Sequence, residues 1–161
     1  MGRTPGNRRY GDKRIRTHSG VQAVNTLNLD QIAAQHAQQM VSKASEKGGK
    51  SVAVLERLVT ETLGVLQAQG VYAMMLYLWS RPGDEKNIAL IISNQCNALL
   101  KKLPEFSSIY VPEEKSDDKT TLKFYSSDAV QKIDTLLLIR DLYEQTLIYA
   151  WYGAKAASKE N

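Results

Sequence analysis

The sequence predicts an all-α protein: a single helical bundle of about five helices with a long loop before the last one. Apolar residues recur at helical spacing over most of residues 28–157. Caps and breakers (Asn28, Gly48-Gly49, Gly70, Pro82-Gly83, Pro104) punctuate that pattern at helix-length intervals. No segment reads as a convincing sheet strand, and 161 residues with 43% apolar side chains suit one cored domain.

Residues 1–26 are rich in Gly, Arg, Asn and Thr with almost no apolar periodicity, so a flexible basic arm is expected there and the bundle domain over 27–158. Asn28 caps a first helix over about Leu29–Lys47, with Leu29, Ala33, His36, Met40 and Ala44 in one stripe and Gly48-Gly49 as its stop. Ser51 caps a second helix, where Val52, Leu55, Val59, Leu63 and Leu66 share a face opposite Glu56, Arg57, Thr60 and Glu61. At Gly70 the pattern changes. Val71–Trp79 is apolar on every side, which predicts a helix buried all round, and Arg81-Pro82-Gly83 then turns the chain. Asp84 starts a fourth helix to about Leu103, with Ile88, Ile92, Leu99 and Leu103 as its buried stripe. Residues 104–126 form either a loop or a small hairpin built from the β-prone pieces Ile109–Val111 and Leu122–Tyr125.

Ser127 caps the last helix, about Asp128–Ala157. Ile133, Leu137, Leu147 and Trp151 lie on one of its faces, and Leu138, Leu142 and Tyr149 lie nearly opposite. A helix with two apolar faces either threads the middle of the bundle or offers its second face to another chain. Trp79 and Trp151 are both expected to be largely buried. Arg140 and Glu144, four apart, have the spacing of a helical ion pair.

Charge is distributed unevenly. Residues 1–16 carry six cations against Asp12, a net +5, while the rest of the chain has 15 basic and 16 acidic side chains, a net −1. The arm either follows a phosphate backbone or only keeps the chain in solution. The candidate nucleic-acid contacts are Arg3, Arg8, Arg9, Lys13, Arg14 and Arg16 in the arm, and Arg57, Lys101, Lys102 and Lys155 on predicted helix surfaces. The longest run free of polar residues, Val71–Trp79, is too short to span a membrane, and the basic start is followed by no apolar segment of a secretory signal. A cytoplasmic protein with no membrane partner is expected.

Nothing predicts catalysis, a metal or a cofactor. His18, His36 and Cys96 match no zinc spacing; His36 reads as a hydrogen-bonded core residue and Cys96 as an inert thiol. Glu56 and Glu61 are five apart, which splays them on a helix. Glu113, Glu114, Asp117 and Asp118 read as a solvated run, with a weak divalent-cation site as the competing reading. Gly48-Gly49-Lys50-Ser51 resembles the end of a phosphate loop, but it follows a helix, and Ala44 holds the place of the first glycine. The tyrosines at 72, 77, 143, 149 and 152 lie in apolar helical runs and read as core or interface rather than base-stacking groups.

Two stretches carry a resemblance. Gly70-Val71-Tyr72-Ala73-Met74-Met75-Leu76-Tyr77-Leu78 is similar to the glycine-then-apolar helix of the small helical subunit of type III-B (Cmr-type) CRISPR effector complexes. Glu144-Gln145-Thr146-Leu147-Ile148-Tyr149-Ala150-Trp151 resembles that family's closing helix, with a glutamate seven residues ahead of a tryptophan. The resemblance covers roughly residues 28–157 and implies a non-catalytic subunit that stacks with copies of itself beside the other effector subunits and helps line the channel for guide RNA and target RNA. The chain departs from the family in two places. Tyr152, Gly153 and Ala154 follow the tryptophan where members continue with basic residues, and the arginine-rich arm is longer than the family needs. The competing expectation is a helical protein–protein adaptor with no nucleic-acid role.

Overall fold

The computed structural model describes Gly2 and residues 27–160; apart from Gly2, the arm expected over residues 1–26 lies outside them. Among the described residues there are seven α-helices and no strand, as an all-α bundle requires. They are α1 (Leu29–Glu46), α2 (Gly49–Gln69), α3 (Val71–Trp79), α4 (Gly83–Leu100), α5 (Asp118–Tyr125), α6 (Asp128–Gln131) and α7 (Ile133–Ala157), with a 3-10 turn at Pro104–Phe106. None is long and apolar enough to cross a membrane.

Asn28 starts α1: its side chain accepts from the Gln31 amide at 3.0 Å, satisfying one of the helix's orphan N–H groups. Ala33, His36, Met40 and Ala44 are buried as their spacing predicts, and Leu29 is partly so. The turn between α1 and α2 rests on Gly48 at φ +106°, and α2 begins at Gly49 rather than at a Ser51 cap. Gly70, at φ +92° and ψ −175°, ends α2 and starts α3 with no connecting loop, a backbone conformation that glycine alone adopts without strain.

α3 corrects the expectation of burial all round. Val71, Met74, Met75 and Leu78 are buried, but Tyr72 and Leu76, one turn apart, are 39% and 44% exposed. A nine-residue helix packed against α2 and α4 keeps an outer face whatever its composition.

The segment 104–126 also differs. Ile109–Val111 forms no strand, and Leu122–Tyr125 is the second half of α5. Asp117 begins that helix by accepting from the Thr120 amide at 2.7 Å, and the hydrogen bonds from Thr120 hold its carboxyl below the usual range. Phe124 and Tyr125 then turn into the core. β-Propensity spans about 1 kcal/mol across its whole scale, whereas burying one large apolar side chain contributes about 1.5–3 kcal/mol, so packing decides. Ser127 starts only the one-turn α6; Lys132 is extended at φ −59° and ψ 130°, and the last helix begins at Ile133 instead of Asp128.

Over most of its length α7 threads between α1 and α2. It runs antiparallel to α2, where Arg140 Nη2 donates to the Gln67 carbonyl at 3.1 Å and Gln67 Nε2 donates to Glu144 Oε1 at 2.6 Å. Arg140 and Glu144 thus each reach α2 rather than one another. The Tyr149 hydroxyl donates to Asp30 Oδ1 in the first turn of α1, and the two helices run parallel. Gly153 makes that approach possible, since a Cβ there would lie 3.0 Å from Val41 Cγ2. Ile133 and Leu137, in the first turns of α7, stay 69% and 48% exposed. Trp79 and Trp151 both pack against the core with part of each ring exposed: Trp79 ends α3, and the Trp151 ring lies 4.8 Å from that of Tyr152.

Among the described residues, Arg140 Nε is buried without a hydrogen-bond partner; the other buried side-chain polar groups are matched. His36 Nδ1 lies 2.8 Å from Gln95 Oε1, the hydrogen-bonded core histidine that its place in the stripe predicts. Two phenolic protons serve three contacts: the Tyr125 hydroxyl lies 2.6 Å from Asn97 Oδ1 and 2.6 Å from the Tyr143 hydroxyl, which in turn lies 3.1 Å from the Cys96 carbonyl. Burial raises both phenols well above their ordinary pKa and pushes the Cys96 thiol up to about 12.

Because the folded chain keeps protons on Tyr125 and Tyr143 that the unfolded chain releases near pH 10, their contribution to stability is intact below that pH and lost above it. Denaturant titrations should show steady stability to about pH 9, then a fall of up to about 1.4 kcal/mol per pH unit for each tyrosine. Tyr143→Phe should cost about 1–3 kcal/mol at neutral pH, by stranding the partners of its hydroxyl, and should make the alkaline fall shallower.

Candidate nucleic-acid interface

The cations singled out by sequence have different environments. Arg3, Arg8, Arg9, Lys13, Arg14 and Arg16 lie outside the described residues. Arg57 is held by two carboxylates, with Nη1 3.2 Å from Glu61 and Nη2 2.5 Å from Glu85, and these hydrogen bonds raise its pKa. The cluster is closed by Tyr77, whose hydroxyl donates to Glu61, and by Arg81, which lies 4.2 Å over the Tyr77 ring and 3.9 Å from Glu85. The Tyr77 hydrogen bond lowers the Glu61 pKa; burial and the same bond push Tyr77 up to about 12. Arg57 therefore fastens α2 to the α3–α4 corner, and its charge is offset there.

Lys101 lies 3.3 Å from Glu113. Lys102 is exposed and has no ion-pair partner among the described residues. These two follow the C-terminal end of α4, whereas Arg57 meets Glu85 at its N-terminal end, about 27 Å away along an 18-residue helix. Lys155 is exposed in the last turn of α7, its ammonium 4.7 Å over the Trp151 ring. The four body cations are not gathered into one site.

A different set is gathered. Two adjoining grooves share Lys47 and Asn87: one is also lined by Lys43, Glu46, Leu90, Ile91, Asn94 and Glu114, the other by Lys50, Ser51, Val54, Asp84 and Ile88. Lys43, Lys47 and Lys50 are carried round the Gly48 turn, and the antiparallel packing of α4 on α1 brings Asn87 and Asn94 opposite them. None of the three lysines has an ion-pair partner among the described residues. Glu46, Asp84 and Glu114 balance them in number, so the grooves produce little long-range field, and their contacts act at hydrogen-bond range. The end of α2 that opens here has no side-chain cap, and its orphan N–H groups add partial positive charge. The C-terminal end of α7, with Lys155 and Lys159, comes to the same pole because α7 is antiparallel to α2. What this pole can do chemically is donate hydrogen bonds from several ammonium groups to anionic oxygens.

Sequence spacing alone does not mark Lys43, Lys47 and Lys50; only their fall at intervals of four and three across a turn could have drawn attention. The carboxylates of the Glu113–Asp118 run have structural work, Glu113 on Lys101 and Asp117 as the α5 cap. Lysine acylation followed by mass spectrometry should label Lys102 ahead of Lys101, and Glu113→Gln should remove that difference. Comparison with models of protein families, with curated protein sequences and with solved structures finds no match for this chain.

Proposed function

We propose that this chain is a non-catalytic small subunit of an RNA-guided CRISPR ribonucleoprotein effector, acting in the cytoplasm. In this reading it contacts the backbones of guide RNA and target RNA and packs beside other subunits and copies of itself. One observation carries the proposal: six of the chain's cations fall within residues 1–16, a net +5, on a remainder of net −1 whose Lys43, Lys47 and Lys50 line one pole with no ion-pair partner among the described residues. Flexible ammonium and guanidinium groups read phosphate charge rather than base edges, which suits a subunit that must accept any guide. The resemblance of Gly70–Leu78 and Glu144–Trp151 to the Cmr-type small subunit supports the same reading. The exposed Ile133, Leu137, Tyr72 and Leu76 favour contact with neighbouring protein chains, and they would serve a helical adaptor without an RNA role equally well.

RNA binding by the full chain across a salt series separates the two. Log affinity should fall linearly with log salt, independently of base sequence, and each phosphate contact removed should flatten the slope by about 0.7 for single-stranded RNA. Deleting residues 2–16 should flatten it most; Lys43→Gln, Lys47→Gln and Lys50→Gln together should flatten it further, while Arg57→Gln should change it little. Undetectable binding at low salt would falsify the RNA reading in favour of the adaptor.

A further inference from the structure

Tyr152 is 62% exposed. Tyr143, Leu147, Ala150 and Ala154 mark the buried line of α7, and at 100° per residue Tyr152 stands directly opposite it, so its ring leads away from the core. It is nevertheless braced. The Trp151 ring meets it edge-on, with centroids 4.8 Å apart and planes at 67°, and a face of Trp151 is covered by the Lys155 ammonium at 4.7 Å. Rigid support from one aromatic, an open face on another and an exposed cation one turn along are the parts of a stacking platform for single-stranded nucleic acid.

We propose that Tyr152 stacks on one unpaired base of a single-stranded RNA while Lys155 meets an adjoining phosphate. The proposal rests on the RNA-binding reading and deepens it, because it makes the C-terminal end of α7 a site for single strands rather than duplex. Lysines are depleted at the cores of protein–protein interfaces, yet Lys155 and Lys159 follow Tyr152 at the end of α7, so the chemistry favours a polyanion over an apolar protein face. In a duplex each base is already stacked on its neighbours, leaving no face for the tyrosine, whereas every unpaired base presents one.

The test uses the full chain in a Trp79→Phe background, which leaves Trp151 as its sole tryptophan. Oligouridylate, whose bases are little stacked in solution, should change Trp151 fluorescence, and an RNA duplex of equal length should not. Tyr152→Ala should weaken oligouridylate binding about tenfold and Tyr152→Phe should retain it, with duplex affinity and salt slope unchanged in both. If the Trp79→Phe background does not fold, anisotropy of labelled RNA with the otherwise native chain gives the same comparison. The stacking proposal is overturned if Tyr152→Ala binds oligouridylate like the native chain, or weakens both RNAs equally. It is also overturned if Tyr152→Ala changes only the sedimentation of the free protein, the mark of a protein contact. Native protein that binds neither RNA overturns the functional reading as well; native protein that binds both, with Tyr152→Ala unaltered, overturns stacking alone.

Discussion

Tyr143 must bury its ring and still satisfy its hydroxyl, and it can do both only because three helices converge on it. α7 supplies the ring. α4 offers the second lone pair of a carbonyl already used in its own helix, that of Cys96, and α5 brings the Tyr125 hydroxyl with Asn97 behind it. α5 has eight residues, fewer than an isolated helix needs in water, so it exists because Phe124 and Tyr125 are held in the core. If the convergence were broken, phenol and amide groups would be left unpaired in an apolar interior, at a cost well above the net worth of any single bond. The segment from Pro104 to Lys132 takes its path from this requirement.

The other polar ties set helix directions, and the directions create the lysine pole. His36 on Gln95 helps hold α1 against an antiparallel α4, and Gln67 between Arg140 and Glu144 does the same for α2 and α7. The end of α1, the starts of α2 and α4 and the end of α7 are thereby brought to one side. The cations divide accordingly. Arg57, Arg81 and Lys101 are committed to carboxylates and fasten corners, whereas Lys43, Lys47, Lys50 and Lys102 have no ion-pair partner among the described residues.

What the sequence made legible follows the range of the interactions involved. The α1 stripe, its Asn28 cap, the Gly48 and Gly70 breaks and the His36 hydrogen bond depend on periodicity or on backbone conformations that few residues adopt, and all could be read directly. Leu122–Tyr125 could not, because burial against distant helices outweighed a local β preference. The outer face of α3 was hidden by a composition with no polar residue to mark it. The lysine grooves required the α1–α4 pairing, and no spacing within one segment encodes that. The arm's charge was plain from composition, and its candidate contacts lie outside the described residues.

Cys96 is fully buried in α4 beside this tyrosine pair, with a thiol pushed up to about 12 by loss of solvent alone. A thiol in that state is silent toward alkylating reagents on two counts, since few molecules are ionised at neutral pH and none is reachable while α4, α5 and α7 stay closed. Any labelling must pass through an opened form in which the group regains an ordinary pKa, so under fast reclosing its rate measures how often the interior opens. The chain thus carries its own clock for core opening, and anything that grips the assembled helices, whether RNA or a neighbouring subunit, would slow it.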